Sequence, residues 1–205
     1  MSEEIIIGYD IRALQSADAC YWDENRKRDF LFRLDIENPF STDTTVWTSL
    51  LENVPQNQFI GHQGLWNDLE AIETKFFQNN ESYEMMGNII AITLLRESCT
   101  LGQKQEWESM LPITKPSMRD TNWLFLGYDV SDMWRLSSLS NSGFLHDIED
   151  VESMREKWGP KLNANHLFGE KQNVLEFKKF ADERVNEHSP FFVFGLWLVK
   201  SVTQS

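Results

Sequence analysis

Two apolar-rich stretches near the start of the chain read as strands, and the second alternates apolar and polar positions with period two. Ile5–Arg12 opens on three branched residues and runs into Gly8-Tyr9-Asp10. In Phe30–Ile36, Phe30, Phe32, Leu34 and Ile36 alternate with Leu31, Arg33 and Asp35. Both predict strands, and the alternation in Phe30–Ile36 gives that one a single buried face. The polar segment Ser16–Arg28 lies between them, with Trp22 at its middle, and Asn38-Pro39 closes the second strand. The period then changes. Thr44–Val54 reads as a short helix, and Leu65, Leu69, Ile72 and Phe76 recur at helical spacing, predicting an amphipathic helix over Gly64–Gln78. Tyr83–Ser98 is apolar on nearly every side and reads as a buried helix, so the two helices would form a hairpin packed on a sheet.

The second half repeats the alternation of signals. Leu111–Arg119, with Pro112 and Pro116, is a loop. Trp123–Val130 predicts a strand with Met133–Leu139 as its partner, and Asn141-Ser142-Gly143 a turn. Asp147–Trp158 predicts a helix with Ile148, Val151, Met154 and Trp158 inward and Glu149, Glu152 and Glu156 outward, stopped by Gly159-Pro160. Gln172–His188 predicts another, with Val174, Phe177, Ala181 and Val185 inward. Phe191–Lys200 is apolar on both faces, the mark of a central strand. Ile6-Ile7-Gly8-Tyr9-Asp10-Ile11 is echoed by Phe125-Leu126-Gly127-Tyr128-Asp129-Val130. Two strands with similar jobs account for that echo, and so does a duplicated unit. No Ser-, Gly- or Pro-rich linker divides the chain. The expected fold is therefore a single α+β domain over residues 1–205. A mostly antiparallel sheet of about five or six strands would pack against four or five helices.

Composition adds a function class. The chain carries 32 acidic against 19 Lys and Arg residues, a net charge of −13. Residues 129–156 hold seven acids against Arg135 and Arg155, and residues 1–24 also net −5, whereas 157–205 net +2. A field of that sign repels nucleic acid and anionic membrane and attracts a basic partner. Arg26-Lys27-Arg28, the one basic cluster, is flanked by Asp23, Glu24 and Asp29. No apolar run approaches the roughly 18 residues of a membrane span. Met-Ser-Glu-Glu places acid where a signal peptide carries base, so a cytoplasmic location is expected. Cys20 and Cys99 are far apart and read as reduced thiols.

Motifs for chemistry are sparse. His62, His146, His166 and His188 show no metal-ligand spacing, and the Ser-rich run Ser137–Gly143 lacks the Gly-x-Ser-x-Gly elbow. Glycine-rich phosphate loops are absent, so no cofactor is expected. Asp129 and Asp132 at a strand end, near Glu149, Asp150 and Glu152, are the best carboxylate group. They suit either a hard divalent cation or a charged docking face. Asp147, Glu149 and Asp150 also fit the first turn of a helix, where acids favour the dipole. Trp22 and Trp134 sit beside charged residues rather than on apolar faces, as interface anchors do.

The segment Trp123–Phe144, with Gly127-Tyr128-Asp129-Val130, Asp132 and Leu136–Gly143, resembles phrases of small bacterial proteins that accompany polymorphic or contact-dependent toxins as immunity proteins. That resemblance covers about a tenth of the chain and carries over no functional residue. It implies a non-enzymatic protein that neutralises a cognate basic toxin, a nuclease for example, by covering its active surface. The docking residues expected are Asp129, Asp132, Trp134, Glu149, Asp150 and Glu152, with no catalytic or metal-binding residue. The sequence leaves the oligomeric state open. The rival expectation is a divalent-metal-dependent hydrolase or phosphodiesterase built on Asp129 and Asp132.

Overall fold

A computed structural model describes residues 4–13, 59–60, 65–80, 87–111, 122–133, 138, 151–165, 167–184 and 188–202. Their strands form one antiparallel sheet: β1 (Glu4–Ala13), β2 (Phe59–Ile60), β3 (Leu65–Trp66), β4 (Gly87–Leu95), β5 (Leu124–Ser131) and β6 (Phe192–Val202), in the order β2-β3-β1-β4-β6-β5. The helices are α1 (Leu69–Asn80), α2 (Leu101–Met110), α3 (Val151–Trp158) and α4 (Lys171–Arg184). The fold is α+β, as the sequence predicts.

Alternation along the strands sends side chains to two faces. On the first face, α1 packs Ile72 beside Ile6, Tyr9, Trp66, Ile89 and Ala91 at one end of the sheet. At the other end, α3 and α4 pack Met154, Trp158, Val174, Phe177 and Ala181 beside Leu95, Tyr128, Val130 and Val193. Ile7, Ile90, Ile92, Leu94, Phe192, Phe194 and Leu196 fill the second face, where α2 covers them with Trp107. Trp107 meets Phe192 and Phe194 edge-on, at 5.6 and 5.8 Å between ring centroids. Both central strands, β4 and β6, are thus apolar on both sides, the requirement for a strand buried between two layers.

That requirement overturns one expectation. The described part of the helix expected over Tyr83–Ser98 is not helical in that way: Gly87–Leu95 is β4, and Arg96–Ser98 is a single 3-10 turn. A strand covered on both faces is apolar all round, as a buried helix is, and Ile89, Ile90, Ile92 and Thr93 are β-branched. The helix expected over Gly64–Gln78 begins only at Leu69. Asp68 accepts the Ala71 amide through Oδ1 at 2.9 Å, an N-terminal cap, and Leu65 and Trp66 belong to β3. Helix α2 follows a capping box in which Thr100 and Gln103 bond each other's backbone amides. The last helix ends at Arg184, and His188 lies in a turn. Met133 and Ser138, the described residues of the expected strand Met133–Leu139, are turn residues, and β5 pairs with β6. The readings at 16–36, 44–54, 81–86, 112–121 and 139–150 lie outside the described residues.

The echo of the Gly-Tyr-Asp phrase is a structural repeat. Gly8, Tyr9 and Asp10 face Ile92, Ala91 and Ile90 of β4, and Gly127, Tyr128 and Asp129 face Leu196, Gly195 and Phe194 of β6. Each phrase carries a bulge immediately before its glycine. Ile92 itself pairs with Leu196. A pseudo-twofold axis normal to the sheet through that pair therefore exchanges β1 with β5 and β4 with β6. It leaves helices on the same face at both ends.

Glycine is required twice here. Gly127 has a φ of +140°, and a Cβ there would lie 2.5 Å from the Leu167 Cβ and 3.1 Å from the Phe168 carbonyl oxygen. A Cβ on Gly195 would lie 2.5 Å from Thr93 Oγ1 and 2.9 Å from Glu4 Oε2. By contrast, Gly102 in α2 has nothing within 4 Å. Gly127→Ala is expected to destabilise most, by about 3 kcal/mol, and Gly195→Ala by about 2 kcal/mol. Gly102→Ala should be neutral or stabilise by up to about 1 kcal/mol. Urea denaturation of the three variants checks that order.

Candidate functional site

Burial divides the residues that the sequence nominates. Asp129 is 0% exposed. Its Oδ1 accepts the amide of Val130 at 2.7 Å. The carboxylate thus adds to the outer edge of β5, where groups of Leu126, Tyr128 and Val130 are also met. Tyr128 exchanges two hydrogen bonds with Phe168, the Leu126 carbonyl accepts the side-chain amides of Asn163 and Asn165, and the Val130 carbonyl accepts Ser138. Asp132 is 4% exposed and lies 3.3 Å from Nδ1 of the half-exposed His188. Both carboxylates thus lie inside the described fold and not on its surface. Both serve the inside of the fold, where a buried acid needs hydrogen bonds of this kind. Glu152 lies in the first turn of α3, its side chain outside the described residues, as are Trp134, Glu149 and Asp150. Among the described residues, no group of three or more His, Cys, Asp or Glu side chains could hold a metal ion.

A different constellation lies at the middle of the first face. Glu4 begins β1, and its carboxylate reaches across the sheet. Oε1 accepts the Tyr128 hydroxyl at 2.8 Å, and Oε2 accepts Thr93 Oγ1 at 2.6 Å and Trp197 Nε1 at 3.2 Å. One carboxylate therefore bridges β1, β4, β6 and β5. The crossing is open because Gly195, between Thr93 and Tyr128 in the register, has no side chain. Aromatic rings frame the group: Phe125 lies 4.6 Å from Trp197 and 4.8 Å from Tyr128, centroid to centroid. Glu4, Trp123, Phe125, Trp197 and Val199 are half-buried, while the residues under α1, α3 and α4 are closed off.

The pseudo-twofold relation orders this cluster. Trp123 occupies the place of Glu4 in the second half, and Trp197 the place of Thr93. Just as Tyr128 bonds Glu4, its counterpart Tyr9 meets Trp123 edge-on at 6.0 Å. The two halves thus differ at the axis, with a carboxylate on one side and an indole on the other. Sequence reasoning passed over this site. Its available signal was Gly195 in a strand otherwise built of large apolar residues, since glycine there marks a close approach.

No family model, curated protein or solved structure matches the chain.

Burial pushes the Tyr9 hydroxyl up to about 12, with the nearby Asp68 charge adding to the effect. The folded state therefore holds the Tyr9 proton after the unfolded chain has released it near pH 10. The resulting stability is complete below pH 10 and is lost as the pH rises toward 12, by up to about 1.4 kcal/mol per unit. Tyr9→Phe should flatten that alkaline loss, and urea titrations at pH 9, 10 and 11 measure the difference.

Proposed function

We propose that this chain is a non-enzymatic acidic binding protein that neutralises a basic protein toxin by covering its active surface. The observation that carries the reading is the uncompensated net charge of −13. Support also comes from how the minority charge is used. Lys161 pairs with Glu176, Lys171 with Glu97, Lys178 with Asp182, and Arg96 with Glu108. Lys157 and Arg184 lie over ring faces of Trp158 and Phe180. These cations are held in local contacts, which leaves the anionic excess to set the long-range field. Such a field speeds encounter with a cationic surface and suppresses binding to polyanions. The side chains of Asp68, Glu70, Glu106, Glu156 and Glu170 are exposed and contribute to it.

With Asp129 and Asp132 inside the fold, Glu149, Asp150 and Glu152 with Trp134 become the surface to test. Changing the three acids together to Lys should slow association with the basic partner about tenfold at low salt and flatten its salt dependence. Trp134→Ala should act on dissociation instead. The partner is obtained by affinity capture on the native chain in low salt and eluted with rising salt, and rates are read by surface plasmon resonance. Unchanged rates and salt slope in the triple variant overturn that surface. Failure to capture any basic protein overturns the function.

A further inference from the structure

The outward side of β5 is met by a segment that is not a strand. Between α3 and α4 the chain turns back on itself as a strap, whose described residues are 162–165 and 167–168. Asn163 closes the strap: its amide donates to the Leu167 carbonyl at 2.8 Å, and its Oδ1 accepts the amides of Asn165 and Leu167 at 2.8 and 3.3 Å. Among the described strap residues, Phe168 alone pairs with β5 through its backbone. It receives the Tyr128 amide at 2.8 Å and donates its own to the Tyr128 carbonyl at 2.9 Å. Further along, side chains replace the ladder, with Asn163 and Asn165 donating to the Leu126 carbonyl at 2.7 and 3.0 Å. The seat for the strap is Gly127. Its φ of +140° suits glycine, and a Cβ there would lie 2.5 Å from the Leu167 Cβ and 3.0 Å from Asn163 Nδ2. A strand that gives up a side chain beneath a loop is shaped to hold that loop.

The groups that the strap covers are those a second copy would use. About a twofold axis at Tyr128, two antiparallel β5 strands exchange the Tyr128 N–H and C=O with each other. The Val130 amide of one then faces the Leu126 carbonyl of the other. Phe168 stands where the second Tyr128 would stand, and the asparagine amides stand where its Val130 amide would. From this correspondence we propose that the strap is a guard that shuts β5 against pairing with β5 of a second copy of this chain, and that Asn163 is its latch. A second copy is the partner the edge fits best, because an isologous pairing makes each contact twice. The net charge of −13 does not replace the guard. Repulsion between copies is screened beyond about 10 Å at 0.1 M salt, whereas a sheet edge is closed at contact range, by a group seated on it. The inference does not depend on what the chain binds.

The test compares the full chain with Asn163→Ala, which removes both a donor to Leu126 and the acceptor that closes the strap. Sedimentation is measured at about 0.5 M salt, where charge is screened beyond about 4 Å. The unaltered chain should stay monomeric, and Asn163→Ala should dimerise with a midpoint on the order of 100 µM. Hydrogen exchange, resolved to single amides, locates the contact. In the variant at about 10 µM, the Tyr128 amide should exchange at least about tenfold faster than in the unaltered chain, and at about 500 µM it should regain protection. The Ile92 amide, at the centre of the sheet, should not change at either concentration. If Asn163→Ala does not fold, Asn163→Asp carries the same test, since it keeps the Oδ1 acceptor and sets a carboxylate against the Leu126 carbonyl. A variant that stays monomeric overturns the guard, as does a dimer in which the Tyr128 amide stays unprotected. Equal dimerisation of the unaltered chain overturns it too. Equal acceleration at Tyr128 and Ile92 shows general loosening of the fold and overturns the latch.

Discussion

A carboxylate set over the centre of a sheet must be solvated by the protein itself, and the arrangement of the four main strands follows that need at Glu4. Its oxygens draw donors from Thr93, Tyr128 and Trp197, so β1, β4, β5 and β6 are fixed in register by side chains as well as by their backbone ladders. Part-buried polar networks of this type are costly when half-satisfied and help specify a unique packing when complete. Gly195 is the geometric condition for it, because any side chain there would occupy the path between Glu4 and its partners. The same absence of bulk brings Trp197 and Tyr128 around the carboxylate and gives the centre of the sheet a mixed acidic and aromatic character.

Much of the fold was legible where period and burial agree. Residues of β1, β5 and β6, the inward residues Met154 and Trp158 of α3, and Val174, Phe177 and Ala181 of α4 fall where the patterns put them. The misreading of β4 has a single cause: two-sided burial erases the period-two signal, and what remains is β-branching and length. Helix α2 was invisible to hydrophobic periodicity because Trp107 is its one buried residue. The capping pair Thr100 and Gln103 was the better signal.

Candidate chemistry was harder to read. Charge at a strand end looks the same in sequence whether it faces solvent or closes an internal hydrogen bond. Asp129 meets its own strand's amide and Asp132 meets His188, partners set by the turn beyond β5 and by a residue 56 positions later. Glu4 was passed over for the converse reason. It looked like one more acid in an acidic terminus, and the residues that give it meaning lie 89, 124 and 193 positions away. The repeated Gly-Tyr-Asp phrase did report a real relation, since its glycines place a bulge and its tyrosines turn to equivalent places about the axis.

The outer side of β5 carries one last implication. From Leu126 to Val130 its outward backbone groups are bonded to Phe168, Asn163, Asn165, Asp129 and Ser138. At the opposite margin of the sheet, β2 is two residues long. Among the described residues, that stretch of β5 offers an incoming chain no ladder to extend and β2 offers a very short template, so strand addition is blunted along both. Along those stretches, contact with another protein is left to side chains. Its selectivity can change by substitution on the surface while the sheet beneath stays the same.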